Sequence, residues 1–183
     1  SGVHVAIQGV GHVGGYLAEK LHAAGARLTI ADVNQPALEA VAAKTGAQIV
    51  PTDAIFDVEA DVFAPCALGG AISAATLPRL KAKIIAGAAN NQLADATIGQ
   101  AVFERGLLYA PDYVINGGGI INVAAEIRGL EAGAAFDGAW VAAKLDRLAQ
   151  TLAEVIDQSI AEKRPANVVA DEIARARIAA ARA

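Results

Sequence analysis

The stretch "VHVAIQGVGHVGGYLAEKLHAAGARLTIAD" at residues 3–32 constrains this chain more than any other part of it. Gly9, Gly11 and Gly14 form a G-x-G-x-x-G turn directly after a short β-branched run and at the head of a helical segment. In such a turn the first glycine permits the sharp change of direction. The second lets a charged group approach the backbone, and the third lets helix and strand pack closely. A second β-branched run follows and closes on Asp32, 18 residues after Gly14. The stretch therefore reads as strand, turn, helix, strand, acid.

The same alternation continues along the first 125 residues. Strands are predicted at 3–8, 27–31, 48–51, 61–64, 83–87, 107–109 and 113–115, with helices near 12–24, 35–46, 73–81 and 95–105. Strands alternating with helices at this spacing form βαβ units and a parallel sheet covered on both faces. Right-handed crossovers then give an α/β, doubly wound, mostly parallel sheet of Rossmann type. From Gly118 onward the pattern turns helical. Val141, Leu145, Leu148, Leu152, Val155 and Ile156 recur at helical spacing over 139–163, "KRPAN" breaks that run, and 168–182 forms a last amphipathic helix. No repeat or linker divides the chain. One domain over 1–183 is expected, with 139–183 as its C-terminal helical part.

Composition narrows the function classes. A net charge of −4 with no basic cluster argues against nucleic-acid binding, which needs a basic face. No apolar run approaches the ~18 residues that span a bilayer, and no signal sequence opens the chain. Cys66 is the only cysteine, so no internal disulfide forms and a reducing, cytoplasmic setting is expected. The chain starts Ser-Gly and contains no methionine, which points to boundaries that were chosen.

A glycine turn in this context holds a dinucleotide pyrophosphate. Its exposed amides and the helix dipole favour the negative charge, the dipole alone by about 0.3–1 kcal/mol. Asp32 would accept hydrogen bonds from the adenosine ribose hydroxyls and would repel a 2′-phosphate. No arginine follows it, so NAD is preferred over NADP. The bland alternative makes the glycines an ordinary βα turn and Asp32 a strand-end cap. His12, inside the turn, reads better as an exposed side chain at a helix start than as a pyrophosphate contact. His4 and His22 show no partner.

Ligands on such sheets bind beyond the carboxyl ends of the strands. Unusual loops stand at those ends: "APCALGG" (64–70), "AGAANNQL" (86–93) and "APDYVINGGGIINV" (110–123). Small residues there let a cofactor lie on the backbone, while Asn90, Asn91 and Asn116 offer the neutral donors and acceptors that a nicotinamide carboxamide requires. Taken singly, each loop is compatible with turn chemistry. Cys66 has no nearby base and reads as a small buried thiol beside the cofactor rather than a nucleophile. No metal-ligand spacing occurs.

Together the glycine turn, Asp32, "DVFAPCALGG", "AGAANNQLAD" and "YAPDYVINGGGIINVAAE" resemble the cofactor-binding domain of the leucine/phenylalanine/valine/glutamate dehydrogenase family. The likeness covers almost the whole chain, and "INV" at 121–123 is closer to the leucine and valine enzymes. It implies an oxidoreductase that deaminates an L-amino acid of branched-chain type to its 2-oxo acid and ammonia, with hydride transfer to NAD. By resemblance, Gly9, Gly11 and Gly14 form the pyrophosphate turn and Asp32 the ribose acid. Ala67 and Leu68 line the adenosine path, Ala89 and Asn90 lie by the nicotinamide ribose, and Asn116 lies by the nicotinamide and the substrate carboxylate. His12, Val13, Val33, Cys66 and Ala88 complete the expected cofactor-binding set. Gly117 departs from the family, which usually has alanine there, and loosens the backbone beside Asn116.

In the family a preceding domain supplies the catalysis, with two lysines and an aspartate. Lys20, Lys44, Lys81, Lys83, Lys144 and Lys163 stand in no such context here. The chain therefore reads as an isolated NAD domain without catalytic residues, which binds and does not turn over. The missing N-terminal catalytic domain is its expected partner; a homo-oligomer is left open. A stand-alone NAD-sensing module is the competing reading, and the strand-end loops disfavour it. A Rossmann remnant without a ligand is the third.

Overall fold

The computed structural model describes residues 2–182, so Ser1 and Ala183, the ends of the expected domain, lie outside the described residues. Among these residues six strands, β1 (His4–Gln8), β2 (Arg27–Ala31), β3 (Gln48–Ile49), β4 (Val62–Pro65), β5 (Ile84–Ile85) and β6 (Leu108–Tyr109), form one sheet. Every pairing is parallel and the order is β3-β2-β1-β4-β5-β6. The order reverses between β1 and β4, where a doubly wound sheet opens its crevice.

Among the described residues seven α-helices accompany the strands: α1 (His12–Ala23), α2 (Gln35–Thr45), α3 (Ile98–Glu104), α4 (Asp112–Ile115), α5 (Gly118–Ala132), α6 (Gly138–Glu162) and α7 (Ala166–Ala180). Side chains alternate across the strands and feed two cores. Val5, Ile7, Leu28 and Ile30 pack with Ala18 of α1 and Leu38 and Val41 of α2. Ala6, Phe63 and Ile85 pack on the opposite face with Ile55, Ile72 and Val102. A third cluster joins Val155 of α6 to Ala166, Val169 and Ala170 of α7, with Val114 of α4 against it. Among the described residues no helix is long and apolar enough to cross a membrane.

The structure departs from the sequence expectations at three places. Residues 73–81 hold only a 3-10 turn at Leu77–Arg79 instead of a helix. There the Thr76 hydroxyl donates to the Ala71 carbonyl at 2.6 Å and accepts from Ser73 N–H at 2.9 Å, so side chains take bonds a helix would need. Residues 113–115, predicted as a strand, belong to α4. Pro111 stands ahead of that turn, and the Val114 N–H donates to the Pro111 carbonyl at 2.9 Å. His4, which shows no partner in the sequence, is buried and bridges two elements: one ring nitrogen meets the Thr29 hydroxyl and the other the Glu59 carbonyl, both at 2.8 Å.

Candidate functional site

The G-x-G-x-x-G turn lies at the carboxyl end of β1, beside the reversal point. Gly9 has φ +95°, and a Cβ there would lie 2.7 Å from the Ala67 nitrogen in the loop after β4. Both the conformation and the contact demand glycine. A Cβ on Gly14 would run into the Gly9 carbonyl and approach Cys66 Cβ at 3.2 Å, which fixes how closely α1 packs on the sheet. A Cβ on Gly11 would meet nothing within 4 Å. The middle glycine thus borders open space while its neighbours are locked.

Gly11 is also the N-cap of α1 and supplies no side-chain cap. At α2, by contrast, the Asn34 side chain accepts from the Ala37 N–H at 3.2 Å. A helix whose first-turn amides lack a side-chain acceptor offers them to an external anion.

Asp32 is held beside this turn by two backbone donors. Its Oδ2 accepts from Val10 N–H at 2.6 Å and its Oδ1 from Asn34 N–H at 2.8 Å. The carboxylate is thereby fixed as an acceptor-only group with lone pairs to spare. It lines a cleft of about 410 Å³ together with Gln8, Gly9, Val33, Thr52, Ala67, Leu68 and Thr76. Val33 is 92% exposed and Leu68 82%, so large apolar side chains stand in water at the cleft rim. His12 and Val13 are exposed at the head of α1, and the His12 ring makes an edge contact with Tyr16 at 6.0 Å between centroids.

Cys66 lies half-buried under the turn, its sulfur accepting from Ala88 N–H at 3.4 Å. Burial pushes its thiol up from the ordinary cysteine range, and the Ala88 bond only partly opposes this. A thiol so placed is a poor nucleophile.

The other end of the site comes from the loops after β5 and β6. Asn116 Nδ2 donates to Asn90 Oδ1 at 2.5 Å, so these two expected site residues meet across 26 positions of sequence. Ala89, next to them, is buried, its N–H donates to the Pro65 carbonyl, and its own carbonyl accepts from Gln92 Nε2 at 3.0 Å. It shapes the loop beneath Asn90. Gln92, fully buried, also donates to the Gly87 carbonyl at 2.7 Å. Sequence reading missed Gln92, Tyr109 and Asp112; a charged residue inside "YAPDYV" was the one available signal. A Cβ on Gly117 would stand 2.9 Å from Leu148 Cδ1 of α6, the far end of a side chain that can turn aside. Among the described residues no cluster of histidine, cysteine or carboxylate could hold a metal.

A family model described as Glutamate/Leucine/Phenylalanine/Valine dehydrogenase matches residues 28–183. Leucine dehydrogenase of Bacillus cereus is 43% identical over 175 residues, covering 96% of this chain and 46% of that protein. Valine dehydrogenase of Streptomyces albus is 41% identical over 182 residues, with 98% and 48% covered. The crystal structure of L-tryptophan dehydrogenase from Nostoc punctiforme superposes with a TM-score of 0.91 at 38% identity, over 97% of this chain and 52% of that one. The chain thus spans about half the length of the relatives it matches.

Proposed function

The chain belongs to the glutamate/leucine/phenylalanine/valine dehydrogenase family, and from that premise we propose that it is the NAD-binding half of an amino-acid dehydrogenase of the leucine/valine type. The observation that carries this is the turn at the end of β1: an uncapped helix N-terminus, a glycine bordering open space, and beside them a fixed carboxylate that lines a cleft with Gly9. The parts fit a dinucleotide. The amides of α1 meet the pyrophosphate, and Asp32 accepts from the adenosine ribose hydroxyls. Val33, Leu68 and Ala67 flank the adenosine, while His12, Val13 and Cys66 frame the turn. Ala88, Ala89 and Asn90 form the floor of the nicotinamide end, with Asn116 beside it. NAD, when bound, supplies the hydride acceptor for oxidative deamination of a branched-chain-type L-amino acid. The chain's own contribution is to bind it, orient it and offer the neutral Asn90–Asn116 amide pair beside the reacting face.

The lysines support a division of labour in which the half outside this chain supplies the chemistry. None lines the cleft. Lys44 pairs with Glu19 at 2.6 Å and Lys81 with Glu59 at 3.5 Å, Lys144 lies over the Trp140 ring, and Lys163 caps α6. A proton-transfer group must reach the reacting atoms within hydrogen-bond distance or through one water, and Asn116 carries no titratable proton. On α5, Ile120, Val123, Ile127 and Leu130 form a stripe left 49–82% exposed, beginning four residues past Asn116. A stripe of that size suits a covering partner, here the half that the relatives carry.

Calorimetric titration of the chain with NAD and NADP tests the cofactor assignment. NAD is expected to bind at least ~10-fold more tightly, about 1.4 kcal/mol, and Asp32→Ala is expected to narrow that gap mainly by weakening NAD. Equal affinities for the two cofactors would remove Asp32 from this role.

A further inference from the structure

A buried carboxylate at the nicotinamide end has no part in the assignments above. Asp112, the first residue of α4, is 7% exposed. A carboxylate so buried persists only when its lone pairs are filled. Here Oδ1 accepts from the Tyr109 hydroxyl at 2.6 Å and Oδ2 from the Asn91 N–H at 2.9 Å. Burial, and then the bond to Asp112, push the Tyr109 hydroxyl well above the ordinary phenol range, so it remains a donor.

One bond reaches the end of β6 and the other the loop after β5. Asn91 sits at φ +53°, a left-handed conformation that a non-glycine residue adopts at a cost and that needs holding. Its carbonyl accepts from Gly70 N–H at 2.7 Å, so the loop after β4 is tied through Asn91 to Asp112. The Asp112 carbonyl accepts from Asn116 N–H at 2.9 Å. Side chain and main chain of one residue thus set the backbone next to Asn90 and the backbone of Asn116. Those are the two residues whose amides meet at 2.5 Å. The side chain of Gln92, the other buried polar group nearby, donates to carbonyls of its own loop, and its main-chain carbonyl accepts from Ile72 N–H at 2.9 Å.

We infer that Asp112 is a positioning residue that sets the Asn90–Asn116 amide pair for the nicotinamide half of the dinucleotide. The inference rests on the reading of that pair as the nicotinamide end. A residue that merely stabilised the fold would affect every ligand of the cleft alike; a positioning residue at this end affects the nicotinamide half and spares the adenosine half, which rests on the turn at the end of β1.

The test compares NAD with ADP, titrated into the chain and three variants. Asp112→Ala removes both acceptors. Asp112→Asn keeps an oxygen for the Asn91 N–H and offers an amide N–H to the Tyr109 oxygen. Tyr109→Phe removes the hydroxyl alone. For Asp112→Ala, NAD affinity is expected to fall at least ~10-fold with ADP within about twofold; Asp112→Asn should recover most of the loss and Tyr109→Phe should lie between. The ligand-free chain gives a second readout. The Asn116 side-chain amide signals in a nitrogen–proton correlation spectrum should shift and exchange faster in Asp112→Ala, and return in Asp112→Asn. Equal loss of NAD and ADP, or unchanged affinities, overturns the inference, as do unmoved Asn116 signals. If the unsubstituted chain binds NAD no better than ADP, the nicotinamide assignment of this end fails, and the Asn116 signals alone decide whether Asp112 positions the pair. If Asp112→Ala does not fold, Tyr109→Phe decides both measurements, with a drop of about threefold in NAD affinity expected.

Discussion

The same substitution at two glycines three residues apart should produce opposite outcomes. In Gly14→Ala the new methyl collides with the Gly9 carbonyl and comes within 3.2 Å of Cys66 Cβ. The first obstacle is backbone and cannot rotate aside, so α1 must move off β1. Overpacking against a backbone atom falls in the upper part of the usual range, about 2–3 kcal/mol, while alanine gains about 1 kcal/mol over glycine inside a helix. The net destabilisation is about 1–2 kcal/mol. For a chain of this length each kcal/mol lowers the melting midpoint by roughly 2–4 °C, so a fall of about 2–8 °C is expected. In Gly11→Ala the methyl meets nothing within 4 Å, at φ −63° and ψ −157°. Losing a preferred cap residue costs a little, the stiffer unfolded chain offsets it, and the stability change should stay within roughly 0.5 kcal/mol. The methyl occupies the space through which a pyrophosphate reaches the α1 amides, so NAD affinity should fall at least ~10-fold. Thermal melting by circular dichroism and calorimetric titration of both variants separate the two roles. An unchanged midpoint for Gly14→Ala would show that the helix–strand contact absorbs a methyl. Normal NAD binding by Gly11→Ala would place the dinucleotide elsewhere.

Two further outcomes follow from the site. The purified chain mixed with NAD and branched-chain amino acids is expected to give no NADH above background, because hydride transfer needs the substrate held within roughly 3–3.5 Å by groups that the proposed function assigns to the other half of the enzyme; robust turnover, followed at the NADH absorbance, would refute the half-enzyme reading and make Lys81 and Lys83 the first residues to mutate. Burial raises the Cys66 thiol, so less thiolate is present at any pH below its shifted pKa. Alkylation by iodoacetamide should therefore be slower than for a free thiol near pH 8 and should climb only above the ordinary range of about 8.5. Fast labelling at neutral pH would contradict this environment.

The β1 half of the site was legible because its logic is local. Gly9, Gly11, Gly14 and Asp32 lie within one strand–helix–strand unit, and each follows from the dihedral or spacing its position requires. The strand alternation likewise announced a parallel sheet, because β-branched runs buried on both faces read as short continuous apolar stretches. The other half depends on contacts that no local pattern encodes. Val114 and Ile115 favour a strand by type, yet Asp112 bonds back to Tyr109 and forward to Asn116, and those bonds turn the chain into α4. The Asp112–Asn91 bond spans 21 positions and the Asn116–Asn90 bond 26. Reading either one requires knowing that β5 and β6 are neighbours. Ala89 shows the same limit from the other side: its place at a strand end is local, while its bonds to Pro65 and Gln92 come from the packing of two loops. The charge in "YAPDYV" was therefore the informative residue, since an acid that ends up buried must find donors. Here those donors are the Tyr109 hydroxyl and the Asn91 amide, and finding them carries Asn90 toward Asn116.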